Sequence, residues 1–139
     1  MQVVLQTQPK NLGKLSKELQ QEELAKVKSA LFRVAQVGIN VVQDRTAQGI
    51  GYKGAFKPYS KSYAEARAEQ GRTLTPNLTV TGKMLAAMTS KANSRQAEIF
   101  FRGSTESAKA AHNDKIRPFL GFSREEEGRL ARVFERAMK

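Results

Sequence analysis

His112 is the single histidine of the chain, and cysteine is absent. A histidine that moves protons needs a positioned partner, such as a nucleophile or an orienting carboxylate. Its neighbours Asn113 and Asp114 are polar, and no G-x-S-x-G stretch accompanies it. It reads as a histidine packed or solvated at the end of an element. Without cysteine there are no disulfides, thiolate metal sites or thiol nucleophiles. The carboxylates gather as Glu18, Glu22 and Glu23 and again as Glu125, Glu126 and Glu127. Such runs suit solvated helix surface or the positive end of a helix dipole. No spacing of Asp, Glu and His has the form of a metal site. Gly49, Gly51 and Gly54 lack the preceding strand and the lysine–serine pair of a phosphate loop. The expectation is a protein with no catalytic residues, no metal and no cofactor, and hence no enzyme.

The cations carry more information. From Arg45 to Arg95 the chain sets nine cations against Glu65 and Glu69, which is +7 of a net +11. Tyr52, Phe56, Tyr59 and Tyr63 are interleaved with Lys53, Lys57, Lys61, Arg67 and Arg72. The stretch GYKGAFKPYSKSYAEARAEQG, residues 51–71, reads as too basic and too rich in glycine for a core. Three uses fit it. The rings can pack on the domain while the lysines are solvated. Bases can stack on the rings while phosphates pair with the cations, as in modules that hold single strands. Or the segment is an arm that docks on protein, since aromatic and arginine side chains are favoured interface anchors. No RNP, KH or zinc-knuckle pattern supports the second use.

The elements that must position these residues fit one domain of 139 residues, with 48–80 as an extended loop or arm region. QVVLQ, residues 2–6, suits a short strand. A long helix is predicted over about 15–47, where Leu24, Val27, Leu31, Val34, Gly38, Val41 and Arg45 recur at alternating spacings of three and four. Gly38 costs about 1 kcal/mol relative to alanine in mid-helix, so it marks a bend or a close neighbour. Residues 48–59 are a glycine-rich loop ending near Pro58. Ser60 caps a short helix over 61–70, and Thr81 caps another over 82–91. AEIFFRG, residues 97–103, is a strand, and 104–112 is helical. Pro118 holds Arg117 away from helical angles. Ser123 and Glu126 form a capping box for a final helix whose buried stripe is Leu130, Val133, Phe134 and Ala137. The fold class is α+β: a long N-terminal helix, a small antiparallel or mixed sheet, a C-terminal helix and a long basic loop. No apolar run approaches a membrane span, and MQVVLQTQPK lacks the features of a signal peptide. The expected place is a cytoplasm or an assembly built there, with no membrane partner.

Three stretches in order, FKPYSKSYAEARAEQG, LTVTGKMLAAM and AAHNDKIRPFLGFSREEEGRL, resemble the phage virion morphogenesis family, the small tail-completion and head–tail joining proteins of tailed bacteriophages. The likeness covers roughly residues 20–139 and rests on Phe56, Pro58 and Ser60, on Leu78, Thr81, Gly82 and Met84, and on His112 with Arg117 to Gly121. One departure is that only Asn113 to Ile116 separate His112 from the R-P-F-L-G turn, where the family often has a longer polar insert. The resemblance implies a non-enzymatic virion protein of the phage neck, assembled in the host cytoplasm. It implies a homo-oligomeric ring, often six-fold, that meets portal, connector or tail-terminator proteins and lies near genomic DNA without specific contact. On this reading Tyr52, Lys53, Phe56, Lys57, Tyr59, Lys61, Tyr63, Arg67, Arg72 and Arg117 bind partners, with Phe56, Tyr59 and Tyr63 as the anchors. The alternative is a basic nucleic-acid-binding module.

Overall fold

The structure is a computed structural model that describes residues 2–6, 21–78 and 82–139. It is α+β, with a long N-terminal helix, a small antiparallel sheet and a C-terminal helix. Strand β1 is Gln2–Gln6, and helix α1 is Gln21–Ala47. The start of the helix predicted from residue 15, and the Thr81 cap, lie outside the described residues. Two-residue strands β2 (Ile50–Gly51) and β3 (Gly54–Ala55) form a hairpin. Helix α2 is Lys61–Glu69, and α3 is the single turn Lys83–Ala86. Strands β4 (Met88–Ala92) and β5 (Gln96–Phe101) follow. Helices α4 (Ser104–Ile116) and α5 (Arg124–Met138) complete the chain.

The sheet order is β1–β5–β4, antiparallel throughout, with Val3 opposite Ile99 and Ser90 opposite Ile99 on the other side. Alternation along β5 buries Ala97, Ile99 and Phe101 on the face covered by α1. The same α1 also packs along α5, so the core lies between the sheet and the two helices. The stripe of α1 is as broad as a helix needs to touch both. Val27, Ala30, Leu31, Val34 and Gly38 are buried, and so are Ala35, Ile39, Val42 and Thr46 beside them.

Gly38 marks a close neighbour. A Cβ there would stand 2.9 Å from Phe122 Cζ and 3.2 Å from Ile99 Cδ1. Alanine is the better helix former by about 1 kcal/mol. Overpacking a filled site costs about 1–3 kcal/mol. Gly38→Ala is therefore expected to lower stability in a urea melt, and a gain would mean that the Phe122 ring yields freely.

Two expectations are corrected. The helix predicted over 82–91 lasts one turn, and β4 begins at Met88. The turn that follows supplies the reason. Asn93 Oδ1 accepts hydrogen bonds from the N–H groups of Arg95 and Gln96, at 2.8 and 2.9 Å. That side-chain turn reverses the chain and lays residues 88–92 along β5. The second correction concerns 51–71, read above as unsuited to a core. The hairpin folds back so that the N–H of Phe56 donates to Gly49 O at 2.9 Å, and the Phe56 ring is 7% exposed within the core cluster. A Cβ on Gly51 would lie 2.7 Å from that ring. Two glycines, at 51 and at the turn position 54 (φ +122), let the ring return inward.

Candidate functional site

An open groove of about 890 Å³ lies between the Lys57–Arg67 segment and α4. Its construction starts at Ser60, whose hydroxyl accepts from the N–H of Tyr63 at 3.4 Å and caps α2. The cap sets the helix phase, so Tyr63 and Arg67, four residues apart, share one face. Tyr59, just before the cap, meets Tyr63 edge-on with ring centres 5.0 Å apart. The Arg67 guanidinium lies over the Tyr59 ring at 4.9 Å, and that of Arg117 does the same at 4.9 Å.

Arg117 also ties the two walls together. Its Nε donates to Lys57 O at 2.8 Å. The extended backbone that Pro118 imposes on Arg117 (φ −131) is what ends α4 and aims the chain this way. Asp114 supports the turn, its Oδ1 accepting from the N–H groups of Phe119 and Leu120, both at 3.0 Å.

On the opposite wall, Lys109, His112, Asn113 and Ile116 line the groove. Their spacing of three, four and seven is one face of α4. Leu78, Gly82 and Met84 close the remaining side. Asn113 Nδ2 contacts Met84 Sδ at 3.7 Å, which fixes α3 against α4. Leu78 holds φ +55, a left-handed conformation rare for a bulky side chain.

The charges of the groove are one-sided. Among the described residues, Lys57, Arg67, Lys109 and Arg117 line it and no carboxylate does. Lys109 is paired with Glu106 at 3.4 Å, at the exposed rim. Arg67 is 4% exposed. Its Nε donates to Thr73 O at 2.8 Å, and among the described residues no carboxylate pairs with its charge.

Of the ten residues proposed to bind partners, the fold brings Lys57, Tyr59, Tyr63, Arg67 and Arg117 to this groove. Phe56 is in the core and is corrected as an exposed anchor. Tyr52 is half-buried against Gly121, where a Cβ would stand 2.7 Å from its ring. Lys53 lies over Tyr52 at 5.6 Å, away from the groove. Lys61 and Arg72 are exposed outside it. Sequence reasoning missed Lys109, Asn113 and Ile116, although their helical spacing with His112 was the available signal. Arg45, counted among the nine cations of the basic stretch, is spent internally. Its Nε pairs with Glu126 Oε2 at 2.8 Å and its Nη groups donate to Phe119 O and Gly121 O.

Among the described residues no helix is long and apolar enough to cross a membrane. No protein-family model, no characterised protein and no solved structure matches the chain.

Proposed function

We propose that the chain is a structural protein of the phage neck, a tail-completion or connector-ring subunit that joins head to tail. The observation that carries this reading is the meeting of three distant stretches. Pro58 and Ser60, then Leu78, Gly82 and Met84, then His112 and Arg117 all line the one groove. These belong to the three motifs on which the family resemblance rests. Ser60 and His112 are exposed there, so core packing gives them no reason to meet, whereas a shared binding surface does. Among the described residues of the groove no carboxylate stands beside His112 to orient it for proton transfer, which favours recognition over catalysis. On this reading copies of the chain close into a ring, and the groove is the face each copy turns to a portal, connector or tail-terminator neighbour.

The test is cryo-electron microscopy of particles assembled with and without the chain. The expected result is ordered copies around the neck channel, and filled heads separated from tails when the chain is missing. Normally joined particles in its absence, with no copies at the neck, would refute the reading.

A further inference from the structure

We infer that the groove binds an acidic peptide segment of a neighbouring protein, with a carboxylate of that segment seated on Arg67. The inference rests on the neck reading for the kind of partner, and on the groove itself for the chemistry.

Three observations carry it. The first is the unpaired cation. Arg67 is more than nine-tenths buried and lines the groove. Among the described residues its side chain donates from Nε to Thr73 O, its guanidinium lies over the Tyr59 and Tyr63 rings, and no carboxylate pairs with it. A buried charge without a counter-ion is costly, and a ligand carboxylate would relieve that cost. The two Nη groups form the planar fork that a carboxylate matches. The second is the charge of the surroundings. Lys57 and Arg117 stand in the same lining, which among the described residues holds no carboxylate, so an acidic chain meets attraction along the groove. The third is the apolar part. Leu78, Met84 and Ile116 line the groove, and Ile116 is 47% exposed, which leaves apolar surface for a flanking side chain of the ligand.

The same geometry disfavours a nucleic-acid strand. Single strands gain affinity from bases stacked on aromatic faces. The Tyr59 ring already carries the Arg67 and Arg117 guanidiniums, and Tyr63 meets it edge-on. Phosphates would bring charge, but the apolar wall would go unused.

The experiment is a fluorescence-anisotropy titration of the full chain near physiological salt. The probes are a labelled peptide of alternating Glu and Leu, the same peptide with Gln for Glu, and a labelled single-stranded oligonucleotide. The Glu peptide is expected to bind at tens of micromolar or better, and the Gln peptide at least roughly tenfold more weakly. Arg67→Gln is expected to weaken the Glu peptide roughly thirtyfold. Because Arg67 is buried, Ile116→Glu provides a second variant at an exposed site. It is expected to weaken the Glu peptide about tenfold with an unchanged melting temperature. Failure of the Glu peptide to bind, or binding that survives both substitutions, would overturn the inference. So would an oligonucleotide that binds more tightly than the peptide and loses affinity with Arg67→Gln. Each of these failures leaves the neck assignment to be decided by the particle images, which do not depend on the groove's ligand.

Discussion

Phe56→Ala is expected to destabilise the fold by about 3–5 kcal/mol, the range for truncating a buried phenylalanine. For a domain of this size that is a melting temperature lower by roughly 10–20 °C. The ring is 7% exposed and belongs to the core cluster with Val42, Leu85 and Phe119. Its removal leaves a void beside Gly51, which lacks the side chain to fill it. Backbone constraints oppose collapse there, because the N–H of Phe56 is bonded to Gly49 O. Tyr63→Ala is expected to shift the melting temperature little, since that ring is 46% exposed. Circular-dichroism melts of the two variants separate the roles. Equal melting temperatures would mean that Phe56 contributes no more to the interior than Tyr63.

Arg45→Met is the other large effect, expected at about 3 kcal/mol. The Arg45 side chain is 11% exposed and that of Glu126 is 14% exposed. The guanidinium holds a carboxylate on α5 and two carbonyls of the turn before it. Glu126 in turn closes the capping box, its Oε1 accepting from the N–H of Ser123 at 2.9 Å. Methionine leaves Glu126 Oε2 and both carbonyls without the donors that Arg45 supplied, and the net cost of such orphaned groups exceeds that of the pair itself. Burial pushes the Glu126 carboxyl up, but the hydrogen bonds from Arg45 and Ser123, together with the Arg45 charge, outweigh it and hold the carboxyl below its ordinary value. Stability from this carboxylate is fully present above about pH 4.5 and is lost as the pH falls through the lowered folded value. The gap between wild type and Arg45→Met is therefore expected to narrow in urea melts below about pH 4. A gap that is constant down to pH 2 would show that the ionised carboxylate is not what Arg45 stabilises.

The parts of the fold that were legible are those decided by local chemistry. The capping box at Ser123 and Glu126 marks the start of α5, because two side chains and two backbone groups satisfy one another within four residues. The period of α1 is legible because one face must stay apolar over many turns. Residues 88–91 read as helix from the sequence because Met84, Leu85 and Met88 fit a helical face as well as a turn leading into a strand. Ladder pairing with β5, a non-local term, decided between them. Phe56 was misread because glycine and lysine neighbours predict a loop, and a loop does not say which of its side chains returns to the core. The groove was half legible. Tyr59, Tyr63, Arg67 and Arg117 stand out by type, whereas the wall supplied by α4 depends on which face of that helix the packing leaves open.

The place of β1 has a consequence for the order of folding. Residues 93–95 separate β4 from β5, so that hairpin closes over a very short loop. Strand β1 reaches the same β5 across roughly 90 residues, pairing Gln6 with Gln96. Closing a flexible chain costs about 0.6 kcal/mol for each doubling of loop length, so this pairing begins with a handicap of about 3 kcal/mol. The α1 helix and the β4–β5 hairpin must already be in place to offset it. The third strand is thus expected to lock last and release first, with its amides exchanging hydrogen ahead of those shared by β4 and β5.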